Sequence, residues 1–414
     1  MMCRQYEGPC LTESAKCTSD PICPYCLLYP CRHLSIGTQC SGTCCLAEMR
    51  RDPAHVVPTV FELAQAVVTM KKVVARGGQK TTVFVIGAGF SRDLGYPLTY
   101  ELLKQLRMKR ATWTIFRRVV KFHHPDWDGR KETLPDIETL LTEWVANEEL
   151  LPTLRPNGPF TAEDLRGLRR DLLGEISDWF HKIHKRTDES RRETLAGFAR
   201  LVSTAKNPVI ISFNWDYELD RLLCEGRKRR EVYGLEKGSA GVPVLLKPHG
   251  SLNLYRSRPG RHIKVALRET LWQDKDNKRN VRYCFLNWRA PRSSRRRYIP
   301  WIVPPTHFKS FEHNMLRMIW RRCVDSLSVA NEVFFLGYSL PAADWHSRYI
   351  FRCGFHNQLE GRPLDHGGRE KSTGRSRVYI VNPDVTVRNR VEATAGFKCR
   401  WLPGKVRKWL SELD

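Results

Sequence analysis

The sequence has no run of about 18 apolar residues, so we expect no membrane-spanning helix. Its first residues also lack the basic stretch followed by an apolar stretch that marks a secretory signal, and we expect a cytoplasmic protein. Acidic residues are scarce: 44 Asp and Glu face 69 Lys and Arg, which gives a net charge of +25. This charge favours anionic partners such as nucleotides, nucleic acid or acidic lipids without choosing among them, and a basic solvated surface is the alternative.

Cysteine is rare outside the first 50 residues, where nine of the 14 cysteines lie. Residues 1–50 show neither a helical nor a strand period. Cys23 and Cys26, with Cys31 and His33 shortly after, have a spacing that could form a small zinc knuckle. A second regular cysteine pair is missing, so a disordered tail, a translation start at Met49 or Met70, or disulfides are the alternatives.

The remaining chain is long enough for one large domain with insertions or for two domains, and its 41% of hydrophobic residues suffices for a core. Short apolar runs alternate with helix-like segments, which predicts an α/β fold: a Rossmann-like, doubly wound parallel sheet covered on both faces. The predicted strands are Thr82–Ile86, Pro208–Phe213, Val242–Leu246, Glu332–Leu336 and Arg377–Val381, with Tyr298–Val303 as a further candidate.

We predict one domain over residues 59–398, opening with a helix at Thr59–Val74 and followed by a strand and a short helix in 399–414. A helical insertion is predicted over 98–205, because a simple crossover needs far fewer residues. A second insertion over 256–297 is dense in Arg and Lys and could bind nucleic acid, although its aromatic residues are too scattered to establish a stacking platform.

The first predicted strand leads directly into a glycine-rich turn, Gly87-Ala88-Gly89-Phe90-Ser91. Glycines allow the backbone to approach a phosphate closely, and the N-terminus of the helix that follows could hold a pyrophosphate. The third glycine of the usual dinucleotide motif is missing, so a tight structural turn is the alternative.

Polar residues follow the other predicted strands at their carboxyl ends, the edge at which open α/β sheets bind ligands. Asn214 and Asp216 follow the second strand, although either could simply cap the next helix. His249, between a proline and a glycine, is the only clear general-base candidate at a strand end. The later strands lead to Gly337 and Ser339, then to Asn382 and Asp384; Asp344 is a further candidate helix cap.

The ordered set GAGFS, FNWD, KPHG, GYS and VNPD resembles the sirtuin-like NAD-binding family, over roughly Thr59 to Asp384. In particular, it resembles the divergent bacterial branch found in antiphage defence proteins. The resemblance implies that the first loop binds the pyrophosphate of NAD and that the fourth and fifth motifs contact the adenosine half. The residues so assigned are Gly87, Ala88, Gly89, Ser91, Gly337, Ser339 and Asn382. It also implies that His249 is catalytic and that Asn214 and Asp216 lie beside the nicotinamide ribose.

The chain departs from sirtuin deacylases in several places. Those enzymes carry two CxxC zinc pairs after the histidine, whereas this stretch contains only Cys284, so no metal is expected in the core domain. Phe213 also replaces the glutamine of the deacylase motif. The divergent branch instead implies hydrolysis of NAD to nicotinamide and ADP-ribose, as an antiphage effector regulated by self-assembly, by the insertions or by a partner protein. A non-catalytic NAD or nucleotide sensor and a deacylase or ADP-ribosyltransferase are the alternatives.

Overall fold

The computed structural model describes residues 80–154, 160–186, 188–236, 241–257, 270–273, 282–285, 298–303, 314–341, 344–361 and 374–413. The cysteine-rich segment 1–50, the helix predicted at Thr59–Val74 and most of the basic insertion lie outside these residues. Within them, no helix is long and apolar enough to cross a membrane.

Six parallel strands form the main sheet, which includes the five strands predicted for it and adds the strand predicted in the C-terminal segment. In chain order they are β1 (Thr81–Ile86), β2 (Pro208–Ser212), β3 (Val244–Leu246), β8 (Ala330–Leu336), β9 (Arg377–Val381) and β10 (Arg400–Leu402). Their order across the sheet is β10-β9-β8-β1-β2-β3, and every neighbouring pair is parallel. This is the strand order of a doubly wound sheet, and the fold class predicted from the sequence is confirmed.

Helices cover both faces of the main sheet, which explains why its central strand, β1, is continuously apolar. Val83, Phe84, Val85 and Ile86 in β1 are all fully buried, because both faces of the sheet are covered. The helices are α1 (Ala88–Arg92), α2 (Thr99–Gln105), α3 (Arg110–His123), α4 (Ile137–Leu154), α5 (Ala162–His184), α6 (Glu189–Thr204), α7 (Glu218–Cys224), α8 (Arg229–Val232), α9 (Asn314–Ser328), α10 (Trp345–Glu360), α11 (Thr386–Ala395) and α12 (Val406–Ser411). Helices α2 to α6 all lie between β1 and β2 in the chain. The buried Phe116 ring of α3 meets Trp144 of α4 edge to face at 5.8 Å, and Phe198 of α6 packs on Phe84 of β1.

A second, antiparallel sheet was not predicted. It consists of β4 (Gly250–Ser257), β5 (Thr270–Gln273), β6 (Arg282–Phe285) and β7 (Tyr298–Ile302), in the order β5-β6-β4-β7. The run Tyr298–Val303 was a candidate for the parallel sheet, and that placement is wrong because β7 pairs antiparallel with β4. An apolar run does not encode the direction of its partner strand. Pro300 cannot donate to a strand ladder, and its position in a strand at the edge of this small sheet agrees with that limitation.

The strand order creates a crevice beside β1. The chain leaves β1 for β2 on one side, and β8 pairs with β1 on the other, so the connections diverge at the carboxyl end of β1. Register places Ile86 opposite both Ser212 and Leu336, the last residues of their strands. The loops that follow these three strands therefore start at the same level, where open α/β sheets bind ligands.

Candidate active site

One cavity of about 800 Å³ opens at this edge of the parallel sheet. All ten residues assigned from the sequence line it: Gly87, Ala88, Gly89, Ser91, Asn214, Asp216, His249, Gly337, Ser339 and Asn382. Asp384, also singled out in the sequence, lies on the same wall. The tertiary structure thus brings five separated motifs to one surface, while the role of each residue remains a prediction.

The glycines of the first and fourth motifs pack the two loops against each other. The Gly89 amide donates to the Gly337 carbonyl at 2.9 Å, and the Gly87 amide donates to the Leu336 carbonyl at 3.2 Å. A Cβ at Gly87 would lie 2.5 Å from the Cα of Tyr338, and one at Gly89 would lie 2.8 Å from the Gly337 oxygen. These glycines are therefore required for the packing of the two loops, and the Gly87 and Gly89 amides already have protein acceptors.

Helix α1 is short, and its N-terminus lies before Ser91, whereas the helix that could hold the pyrophosphate was expected to follow the glycine-rich turn. It begins at Ala88 and ends at Arg92, so Ser91 lies inside it and not before it. The dipole effect of a helix arises from aligned peptide units, so five residues supply little of it. Side chains must supply most of the positive potential at this end of the cavity, and Arg92 and Lys405 are the lysine and arginine residues among the described lining.

Gly337 should be the least replaceable of these glycines. Its φ is +63°, and a Cβ there would overlap the backbone nitrogen of Phe90. We expect Gly337→Ala to lower the free energy of unfolding by clearly more than the ~1–2 kcal/mol that a left-handed alanine costs by itself. Gly396→Ala is the matched control, because Gly396 has φ +78° with open space around it. Urea denaturation of both variants checks this; equal losses would contradict the packing role.

Asn214, Ser91 and Asp216 form a hydrogen-bonded chain along one wall. The Asn214 amide nitrogen donates to the Gly87 carbonyl at 2.8 Å and to Ser91 Oγ at 2.7 Å. Ser91 Oγ donates to Asp216 Oδ2 at 2.6 Å, and Asp216 Oδ1 accepts from the Glu218 amide at 3.1 Å. Asp216 thus also accepts a hydrogen bond from the first residue of α7. Asn214, in contrast, connects the first and second motifs. Burial raises the pKa of the Asp216 carboxyl, although the nearby Lys247 charge opposes the shift.

A buried ion pair holds the third motif beside the second. Lys247 Nζ lies 3.0 Å from Asp220 Oδ2 and donates to the Asp216 carbonyl at 2.6 Å. Immediately after it the chain turns at Gly250, where φ is +69° and the amide donates to the Lys247 carbonyl at 2.9 Å. Lys247 is the first residue of the KPHG motif, and no role was predicted for it. Its partner Asp220 lies on α7. The ion pair therefore anchors the backbone two residues before His249, which lines the cavity.

His249 lies between an aromatic ring and a carboxylate. The Phe213 ring meets it edge to face at 5.0 Å, and Tyr338 stacks on the other side of Phe213 at 4.4 Å. Its Nε2 is 3.0 Å from Asp344 Oδ2. The sequence indicated Asp344 only as a helix cap, and its side chain does accept from the Ser347 amide at the start of α10, at 3.4 Å. One signal could have marked it: Asp344 is an acidic residue in the loop after β8, the strand adjacent to β1.

A second buried charge cluster lies behind Asp216 and joins the helical region to the cavity wall. Glu218 contacts Arg191 from α6, His184 from α5 (2.9 Å) and the hydroxyl of Tyr96. Burial by itself would raise the pKa of Glu218, but hydrogen bonds from His184 and Tyr96 and the Arg191 charge outweigh it, and the pKa is lowered. None of these contacts was predicted, because the partners are far apart in the chain.

Within the described part of the chain, no group of three or more His, Cys, Asp or Glu side chains is arranged to hold a metal ion. The cysteines of the predicted zinc knuckle lie outside that part.

Comparisons with known proteins find only distant similarity. No family model matches it. No curated protein matches it either. Among solved structures, a Sir2 homologue in complex with NAD aligns at 14% identity over 84% of this chain and 91% of its own, with a TM-score of 0.39. A Sir2 enzyme structure on mechanism and regulation aligns at 13% identity over 86% and 96%, with a TM-score of 0.38. A Sir2 homologue with 2'-O-acetyl ADP-ribose aligns at 15% identity over 83% and 94%, with a TM-score of 0.37. The doubly wound fold of the present chain rests on its own strand order.

Proposed function

We propose that this protein binds NAD in the cavity at the carboxyl edge of the parallel sheet and hydrolyses it to nicotinamide and ADP-ribose. The observation that carries the proposal is the convergence of His249, Asn214 and the glycine loops on that one cavity. Water adds to the nicotinamide ribose at the anomeric carbon, the C–N bond breaks, its electron pair leaves with nicotinamide, and one proton is released.

The size of the cavity and two cations in its lining suit this substrate. Its volume of about 800 Å³ lies within the ~300–1,000 Å³ typical of small-molecule sites. Arg92 directly follows the glycine loop, and Lys405 lies three residues after the end of β10, the neighbour of the strand that leads to Asn382. These cations lie near the loops assigned to the pyrophosphate and the adenosine half. The diphosphate would therefore be held mainly by side chains, with the loops defining the shape of the wall.

The other charged residues of the lining are acidic and would favour a positively charged group in the cavity. Six carboxylates face the cavity among its described lining residues: Asp93, Asp136, Glu138, Asp216, Asp344 and Asp384. Cleavage of the nicotinamide bond develops an oxocarbenium-like sugar, and fixed negative groups stabilise such a cation in a poorly hydrated site. Asn214 would orient the ribose or the attacking water, and His249 would accept the proton that the water loses.

Two features favour hydrolysis over the alternatives. A pure sensor would not require a histidine at the reactive end, and His249 lines the cavity while paired with a carboxylate. A deacylase of the sirtuin kind would need the two zinc pairs that the sequence lacks.

The direct test is incubation of the purified full chain with NAD, with nicotinamide and ADP-ribose quantified by chromatography. We expect the two products in equal amounts. NAD binding measured by calorimetry without turnover would support the sensor role instead, and the absence of both binding and turnover would contradict the proposal.

Asn214→Ala provides a residue-level prediction. We expect kcat to fall by about 10- to 100-fold, because the variant loses the group that orients the ribose or the water. Asn147→Ala is a matched control: Asn147 also donates two side-chain hydrogen bonds, to the Glu143 carbonyl and His123, both at 2.7 Å, but it does not line the cavity. Equal rates in the two variants would remove Asn214 from the mechanism.

We extend the proposal to regulation and to antiphage defence on the sequence resemblance alone. Continuous NAD hydrolysis would be toxic to the cell that makes the enzyme, so activity should depend on self-assembly or on a partner protein. Turnover measured across a dilution series, with the oligomeric state followed by light scattering, tests this. A dilute monomer that hydrolyses NAD steadily without a trigger would contradict it.

A further inference from the structure

A fully buried carboxylate faces the histidine of the cavity. Asp344 and Ser347 have no exposed surface, and only 4% of His249 is exposed. Asp344 Oδ2 lies 3.0 Å from His249 Nε2, and the Ser347 hydroxyl donates a short hydrogen bond to the same oxygen. Tyr338 also donates to Oδ2, at 3.5 Å. Ser347 and Tyr338 both donate to this oxygen, so the carboxylate is arranged as an acceptor.

This arrangement determines which imidazole nitrogen holds the proton. A neutral imidazole has one N–H and one bare nitrogen. Because Asp344 Oδ2 accepts at Nε2, the hydrogen of the neutral ring lies on Nε2, and Nδ1 is then the nitrogen without a proton. The Ser347 oxygen lies 3.4 Å from Nε2 and, since its own hydrogen points to Asp344, it can only accept there. Both contacts therefore favour the same tautomer.

We propose that Asp344 is a positioning residue that holds His249 as the Nε2–H tautomer, so that Nδ1 is the atom that accepts the proton in the reaction. This inference rests on the proposed NAD hydrolysis for its catalytic consequence, but the tautomer is a property of the protein alone. In the reaction, water adds to the sugar, its proton passes to Nδ1, and the resulting imidazolium is stabilised by the adjacent Asp344 carboxylate until the proton returns to solvent.

The helix-capping role of Asp344 provides the competing explanation, and one substitution separates the two. Asp344→Asn keeps the size and an oxygen that can accept from the Ser347 amide, and asparagine caps helices as well as aspartate does. It removes the charge and presents an NH₂ group to Nε2. If Asp344 serves only as a cap, this variant should behave like the wild type. If Asp344 is a positioning residue, His249 should change to the Nδ1–H tautomer.

The first experiment is long-range ¹H–¹⁵N NMR of the full chain labelled with ¹⁵N-histidine, with the His249 signal assigned from its loss in His249→Gln. We expect the Nε2–H pattern in the wild type and the Nδ1–H pattern in Asp344→Asn. An Nδ1–H pattern in the wild type, or an unchanged pattern in Asp344→Asn, would overturn the proposal whether or not NAD is hydrolysed.

The second experiment measures NAD turnover in the same proteins. We expect Asp344→Asn to lower kcat by about 100-fold with KM changed by less than about threefold, because binding is retained and proton transfer is lost. Asp344→Ser, which also supplies a capping oxygen but no NH₂ group, guards against a folding defect and should lower kcat as well. Asp188→Asn is the matched control: Asp188 caps α6 through the Arg191 amide at 2.9 Å and does not line the cavity.

The outcomes separate the two proposals. A wild type with the Nε2–H pattern that binds NAD but shows no turnover at any concentration of the dilution series would favour the sensor role over hydrolysis and still support the positioning contact. An active wild type whose Asp344→Asn variant retains full kcat would keep the hydrolysis and overturn the role of Asp344 in it.

Discussion

Replacing His249 by alanine is expected to lower NAD hydrolysis by about 10²- to 10⁴-fold, the range that a general base contributes. His249 is the histidine of the cavity lining, and its ring is held between Phe213 and Asp344. Removing the ring removes the group that accepts the proton from water. The affinity for NAD should change little, because the cations near the predicted phosphate end are untouched.

The measurement is the steady-state rate of nicotinamide release, together with calorimetric binding of NAD. His356→Ala, at an exposed position of α10 outside the cavity, should retain the wild-type rate. A His249→Ala variant with near-normal kcat would show that another group is the base, and the carboxylates of the cavity wall would then be the next candidates.

The second large effect concerns stability. Glu218 has only 2% of its side chain exposed and faces Arg191, His184 and Tyr96. Glu218→Gln keeps a side-chain oxygen for the Tyr96 and His184 hydrogen bonds but leaves the Arg191 charge without its buried counterion. Breaking such a pair costs about 3–5 kcal/mol in the free energy of unfolding. Urea denaturation at pH 7 measures the loss.

An exposed ion pair supplies the control. Glu193 pairs with Arg407 at 2.7 Å, but nearly half of each side chain is exposed. Glu193→Gln should therefore cost only about 0–1 kcal/mol. Similar losses in the two variants would mean that the Glu218 cluster contributes no more than a surface pair.

The pH dependence of the Glu218 effect has a definite sign. The pKa of Glu218 is lowered in the folded protein by His184, Tyr96 and Arg191, against the effect of burial. Its ionised form therefore contributes its full stabilisation above the unfolded pKa of about 4.3, and this is lost as the pH falls through the folded pKa. The gap between wild type and Glu218→Gln should be constant from neutral pH to about 5 and shrink below about 4.3. A gap that widens on acidification would contradict this assignment.

The local sequence determined the parallel sheet and which residues line the cavity. Runs such as Val83–Ile86 are apolar at every position, which is possible in a sheet covered on both faces. Parallel strands have their carboxyl ends at one edge, so polar residues that directly follow such strands must meet there. That is why Asn214, His249 and Asn382 could be assigned to one surface from the sequence alone.

Tertiary structure alone decided the pairings across that surface. Ser347 reaches His249 from 98 residues further along the chain, and no local pattern encodes a side-chain contact at that separation. The glycines of the first motif were expected either to approach a phosphate or to form a tight structural turn, and only the tertiary structure shows that they pack against the Gly337 loop, because β8 pairs directly with β1. The direction of β7 was likewise open until its partner strand was known. Spacing along the chain identified the groups at the site, whereas close packing between distant segments decided what each group contacts.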